Sequence, residues 1–352
     1  MNVSEFNIEF AIKQEDISIN INAPEEATRE IKNFFKGFVE IVEPVEKPTY
    51  TVDFLTNFSA APEGCIEFKE SNAVLKSKIK VGQDKSVVYL NDQEDIKKTN
   101  NLCLMLVTNV YARMLDNNGY YLLHCSCVAK NGKALVVCGN KNTGKTVNLI
   151  NLVGNGFSFV TNDMLAIKVI DGKLVCHGMP HHIGIRMTSP WIDQPENLKY
   201  LNFAYERNFK INLENPGSDE NKFYISPKRL TRLNDVTICQ SAELIGILNS
   251  VYTSEVSNLR LSRLSKQYIK DLVLSQKLES LHSSKKFLEQ IVSKNPLASQ
   301  LSKNMAVEKM SELLSYQARE NEMTMENIAI ISNGMIRKAE AKENAEEIIQ
   351  EK

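Results

Sequence analysis

The chain has 352 residues, 43% of them hydrophobic, with a formal net charge of −1. That length and apolar content suit two or three domains, and the charge balance leaves no overall attraction for nucleic acid or for an anionic membrane. No stretch approaches the roughly 18 apolar residues that a bilayer span needs, the first residues lack the basic and apolar regions of a secretion signal, and seven cysteines without a repeated spacing suit a reducing cytoplasm.

Residues 1–94 read as a β-rich N-terminal domain. Strand runs fall at 6–12, 17–21, 50–54, 65–69 and 87–90, and a helix is expected over 25–38. Residues 95–119 form a connecting helix, with Leu102, Leu106, Val110 and Met114 at helical spacing and Asn117-Asn118-Gly119 to close it. A strand over 120–129 follows, then Lys130-Asn131-Gly132-Lys133, whose Asn-Gly pair is a strong hairpin signal. The apolar run 134–138 therefore returns antiparallel to the strand before it. After a helix over 146–153 come a strand at 157–160, the tripeptide Thr161-Asn162-Asp163, a strand over 164–170, an Asp171-Gly172 turn and a strand at 174–176. Residues 120–260 are thus a core built on a mixed sheet. From 261 to 352 strand signals mostly disappear, and Leu272, Leu274, Leu278, Phe287, Leu288, Ile291, Leu313 and Leu314 follow helical spacing. This helical C-terminal region suits a lid, an oligomerisation element that would make a homo-oligomer, or a second core.

Between the strand at 134–138 and the helix after it lies Gly139-Asn140-Lys141-Asn142-Thr143-Gly144-Lys145-Thr146, a complete G-x-x-x-x-G-K-T phosphate-binding loop. In such a loop the backbone N–H groups turn inward around phosphate oxygens, and the helix N-terminus adds positive partial charge. Lys145 would reach the β- and γ-phosphates, its side chain facing solvent until a nucleotide arrives. The Thr146 hydroxyl would bind Mg²⁺. ATP with Mg²⁺ is the expected cofactor.

With these flanks the chain resembles the HPr kinase/phosphorylase and phosphoenolpyruvate carboxykinase superfamily, in its HPr-kinase-like branch, over about residues 120–190. The resemblance rests on His124 before the hairpin, Asp163 after the loop helix and Ile183-Gly184-Ile185-Arg186 further on. It implies an α/β (α+β) fold with a mixed-sheet P-loop kinase core. It also implies that Asp163 joins Thr146 at the metal, that His124 points into the site, and that Arg186 clamps phosphate. Two departures stand out. The family's first aspartate, which takes the proton from the acceptor hydroxyl, is Asn162 here, and an amide cannot serve as that base. The family's glutamate two residues before its arginine is Gly184.

Four of the five histidines lie between 124 and 182. His124 is the leading replacement base, since an imidazole can accept a proton near neutral pH; His177, His181 and His182 are further candidates. Asp193 is a spare carboxylate. Lys222, Lys228 and Arg229 form a basic stretch suited to anionic ligands or simply to solvent. The expectation is a cytoplasmic ATP-dependent kinase that transfers the γ-phosphate to a hydroxyl of a small molecule or to a Ser or Thr of a peptide. The alternative is a nucleotide-binding regulatory or partner protein with weak or no catalysis.

Overall fold

Alternating apolar and polar residues build the first sheet. In the computed structural model, which describes residues 7–55, 66–69, 78–81, 87–90, 96–187, 195–200, 221–252, 260–278, 296–320 and 327–350, β1 (Asn7–Gln14) and β2 (Ile17–Pro24) pair as an antiparallel hairpin. With β3 (Glu40–Val42), β4 (Tyr50–Leu55), β5 (Ile66–Lys69), β6 (Lys78–Val81) and β7 (Val87–Leu90) they make a seven-stranded sheet ordered β3-β1-β2-β4-β7-β6-β5. Between β2 and β3, α1 (Glu25–Phe35) buries Ala27, Ile31 and Phe35, four residues apart and so on one helical face. It packs with α2 (Ile96–Asn117), where Phe35 meets Tyr111 edge-on at 5.7 Å. Residues 1–122 with 278–303 cluster as one unit, and residues 123–277 with 304–352 as another.

The second unit holds the candidate site. After β8 (Tyr121–Leu123) come β9 (Ser126–Lys130), β10 (Lys133–Cys138), α3 (Lys145–Gly154), β11 (Ser158–Thr161), β12 (Leu165–Ile170) and β13 (Lys173–Gly178). Then follow β14 (Ile183–Arg186), β15 (Lys222–Ile225), α4 (Pro227–Leu233), β16 (Ser241–Tyr252), β17 (Arg260–Arg263) and α5 (Lys266–Ser275). The last described elements are α6 (Pro296–Ser311), β18 (Leu314–Glu320) and α7 (Asn327–Gln350). The main sheet runs β11-β9-β10-β16-β13-β12. The β9–β10 pairing is antiparallel, as the Asn131-Gly132 turn predicts, whereas β10–β16 is parallel. The fold class is therefore mixed α/β with mixed sheets.

Two sequence expectations need correction. The strand expected over 120–129 breaks at His124 and Cys125. On one side of the break Leu123 bridges Lys277 and the His124 N–H donates to the Gln276 carbonyl at 2.8 Å; on the other, β9 turns to β10 and β11. Leu313 and Leu314 are not helical neighbours. Leu314 opens β18, which lies parallel to β16 and pairs with β17. β16 is twelve residues long, so the flank away from β10 is shared, its start by β13 and its remainder by β18.

The end of the sheet with the hairpin turns is gripped by the C-terminal helices. Lys130 bonds Asn333 at 2.8 Å, Asn131 bonds Glu340 at 3.0 Å, and Lys309 donates to the Gly172 carbonyl at 2.7 Å. Lys133 bridges Glu343 at 2.6 Å and Glu243 at 2.9 Å, and Lys173 reaches Glu343 at 2.9 Å. The two lysines draw the Glu343 carboxyl down to about 2, chiefly through hydrogen bonds from Lys133 and then Lys173. No helix among the described residues is long and apolar enough to cross a membrane.

Candidate active site

The loop of residues 139–146 leaves the end of β10 and enters α3, as its spacing predicts. Its first glycine is obligatory. Gly139 has φ 146°, and a Cβ there would lie 2.4 Å from Thr143 Oγ1 and 2.6 Å from the Ser250 carbonyl oxygen. The neighbouring strand supports the loop: the Ser250 hydroxyl, on β16, donates to the Thr143 carbonyl and accepts from Asn148 Nδ2 at 3.0 Å. Thr143 Oγ1 donates to the Asn140 carbonyl at 2.8 Å, while Asn140 and Lys141 are exposed and Thr146 half-buried.

Lys145 does not face solvent as expected. It is 8% exposed, and its ammonium folds back on its own loop, donating to the Gly139 carbonyl at 2.8 Å and the Asn140 carbonyl at 3.0 Å. The turn geometry leaves these carbonyls pointing inward, and a buried ammonium needs acceptors. Burial pushes its pKa below the ordinary lysine value, and the Asp163 carboxylate only partly offsets this.

Asp163 follows the end of β11 with a left-handed backbone, φ 70°. Three contacts hold that conformation. The Thr161 hydroxyl bonds the carbonyls of Met164 and Met179, each at 2.8 Å, and the Met179 N–H donates to the Met164 carbonyl. Gly178 lets β13 pass so close to β11 that a Cβ there would lie 1.9 Å from the Val160 carbonyl oxygen. The carboxylate meets His124 Nε2 at 3.4 Å through Oδ1, and Asn162 Nδ2 at 2.9 Å and His181 Nδ1 at 3.8 Å through Oδ2. Burial opposes its ionisation. The hydrogen bond from His124, with His181 and Lys145 nearby, overcomes that and keeps its pKa below the ordinary carboxylate value.

Among the sequence candidates, His124, Lys145 and Asp163 converge here, joined by His181. His177 is buried within β13, paired with Ala166 and Ser241, and His182 is exposed. Arg186 lies on a two-stranded ribbon, opposite Lys222, and β14 packs against α3. Gly184 sits opposite Tyr224 on that ribbon, where a Cβ would lie 3.1 Å from the Tyr224 ring and 3.4 Å from the Lys222 stem. Lys228 and Arg229 fall in the first turn of α4, capped by Ser226. Asp193 lies outside the described residues, as do Phe287, Leu288 and Ile291.

Sequence reasoning missed Ser126, whose buried hydroxyl donates to Asn162 Oδ1 at 3.0 Å, and Ser250 beneath the loop. The only sequence signal for Ser126 is its place two residues after His124. Cys125 and Cys127 are fully buried, and burial pushes both thiols well above their ordinary pKa, so neither is poised as a nucleophile. Among the described residues no group of three or more His, Cys, Asp and Glu side chains is placed to hold a metal ion. A magnesium ion delivered on a nucleotide asks for less, since it keeps several waters and takes one or two protein oxygens. Asp163 and Thr146 are oxygen donors of that kind.

No family model matches the chain, and no curated protein matches it. Among solved structures, the Hpr(Ser) kinase/phosphatase from Coxiella burnetii overlays on 65% of this chain and 96% of its own, with a TM-score of 0.31 and 9% sequence identity.

Proposed function

We propose that this chain is a magnesium-dependent kinase of the P-loop type, which moves the γ-phosphate of ATP to an acceptor hydroxyl. The observation that carries the reading is the placement of Lys145, at the head of α3 on the 139–146 loop, near Asp163. A buried lysine leads a helix out of a glycine-bounded loop, and a carboxylate just past the end of β11, the strand that follows that helix, lies close enough to act on its charge. In phosphoryl transfer the protein contributes mainly positioning and charge neutralisation, which is what this set of groups offers.

On this reading the residues divide the work. The backbone N–H groups of 139–146 and the N-terminus of α3 cradle phosphate oxygens. Lys145 exchanges its two carbonyl partners for phosphate, a move that restores full charge pairing to a desolvated ammonium. Thr146 and Asp163 hold the Mg²⁺ that arrives with the nucleotide, and that ion supplies neutralisation of the phosphate charge. Arg186, on the ribbon beside α3, serves as a second cation for phosphate. His124 faces a carboxylate, which only accepts, so Nε2 donates there and Nδ1 is the nitrogen that would take the acceptor's proton. Asn162 takes no proton.

The buried amide at 162 also favours a second reading, in which the chain binds nucleotide as a regulatory partner without transfer. One experiment addresses both. Lys145→Ala should weaken MgATP binding at least tenfold by calorimetry, and equal affinity of variant and parent would remove the nucleotide claim. Incubating the parent with γ-labelled ATP and fractionated lysate should then label an acceptor in a Lys145-dependent way. Tight binding with no labelled product would leave the regulatory reading standing and the kinase reading refuted.

A further inference from the structure

Both oxygens of the Asp163 carboxylate are held, and one short segment of chain holds them. His124 and Ser126 stand two residues apart around the break that precedes β9. His124 reaches Oδ1 directly, through Nε2 at 3.4 Å. Ser126 reaches Oδ2 by way of Asn162: its hydroxyl lies 3.0 Å from Asn162 Oδ1, and Asn162 Nδ2 lies 2.9 Å from Asp163 Oδ2. Donor and acceptor inventories fix the direction of this chain. A carboxylate only accepts, so the amide must present its NH₂ to Asp163, which leaves its carbonyl to accept from the serine. The carboxylate therefore decides which way the amide is turned, and the Ser126 hydroxyl supplies the donor that the amide carbonyl then needs. Ser126 is 0% exposed and Asn162 1%, so water does not compete for the bond between them.

We propose that Ser126 and Asn162 are positioning residues, a buried relay that sets the plane of the Asp163 carboxylate so that it meets the metal carried by the nucleotide in one orientation. The inference rests on Asp163 being the metal-facing group of the preceding subsection. It gives the amide at 162 a task of its own, where HPr-kinase-like proteins have a base. A carboxylate at 162 would still accept from Ser126, but it would face Asp163 with a like charge across a hydrogen-bond distance. The relay also explains why Ser126 is worth burying: without its hydroxyl the buried Asn162 carbonyl loses its donor, and the amide that grips Oδ2 is held less firmly. Partners that orient a metal-facing carboxylate are worth about tenfold or more in metal affinity.

The test is calorimetric ATP binding by the full chain, without metal and with Mg²⁺, in the parent and in Ser126→Ala, Asn162→Ala, the double variant and Asp163→Ala. In the Ser126 and Asn162 variants metal-free ATP affinity, which depends on the 139–146 loop, should stay at the parental value and so report that each is folded; Asp163→Ala is checked by its thermal unfolding. The gain in affinity on adding Mg²⁺ should fall about tenfold in Asn162→Ala. The double variant should lose no more than Asn162→Ala alone, because the two residues act in series. Ser126→Thr, which keeps the hydroxyl, should retain the gain. A parental gain in Asn162→Ala, or strictly additive losses in the double variant, overturns the relay. If Asp163→Ala loses the gain while Asn162→Ala keeps it, the relay alone falls; if Asp163→Ala keeps it too, the metal assignment falls and the relay with it.

Discussion

Gly178→Ala is the perturbation with the clearest arithmetic. Its Cβ would lie 1.9 Å from the Val160 carbonyl oxygen and 2.7 Å from the Val160 carbonyl carbon, against a floor near 3.0 Å for real contacts. The atoms in the way are backbone, so no side chain can swing aside, and β11 and β13 must part by more than about 1 Å to admit the methyl group. Overpacking of this kind costs about 3 kcal/mol, which for a unit of this size is a fall of roughly 6–12 °C in Tm. Val160 lies three residues before Asp163, so the displacement also carries into the site. Thermal and urea denaturation should show the loss, and the Mg²⁺ enhancement of ATP binding should drop with it. Gly172→Ala is the control: φ is 75° there with no atom within 4 Å, so only backbone strain of about 1 kcal/mol applies. If Gly178→Ala destabilises no more than Gly172→Ala, the close approach of β11 and β13 is not what holds Asp163.

His124→Asn should lower the rate of transfer about a hundredfold, as expected for a lost general base, with little change in metal-free ATP affinity; an unaltered rate would pass the role to His181. The pairing of Glu343 with Lys133 and Lys173 should show in the pH dependence of stability. Its folded pKa, about 2, lies below the unfolded value near 4.3. The pair therefore stabilises fully above about pH 4.3 and loses its contribution as pH falls toward 2. Because Glu343 is partly exposed, Glu343→Gln should cost under about 1 kcal/mol at pH 7 and less at pH 3; equal losses by urea denaturation at both values would exclude the ionic account.

The parts of the site legible in the sequence are those written in local signals. The Gly139 to Thr146 loop is contiguous, and the Asn131-Gly132 and Asp171-Gly172 turns need only two residues each, with Asn131 and Asp171 at positive φ. Hence the antiparallel approach to the loop is legible from residues 130–133 alone. What stayed hidden is tertiary. Ser250 supports the loop from a strand more than a hundred residues away, and His181 reaches Asp163 only because β13 crosses close to β11 at Gly178. The break at His124 arises from competition between two sets of strand partners, which no pattern within 120–129 encodes. β18 escaped because Leu313-Leu314 beside a helix fits either period, and only the unpaired flank of β16 selects the strand. The amide at 162 was visible as a departure, but its bond to Ser126 was not.

The insertion of β18 beside β16 has a consequence for the newborn chain. The loop strand β10 gains its parallel neighbour only when residues 243–249 exist, and that neighbour is flanked along most of its length only when residues 314–320 follow. Pairings between such distant segments form late and slowly. During synthesis the 139–146 segment is therefore made early but stays without its Ser250 support until most of the polypeptide has left the ribosome. A half-made chain would carry the glycine-bounded loop and yet be unable to shape it, so on the proposed function nucleotide would engage only a molecule whose central sheet is already complete.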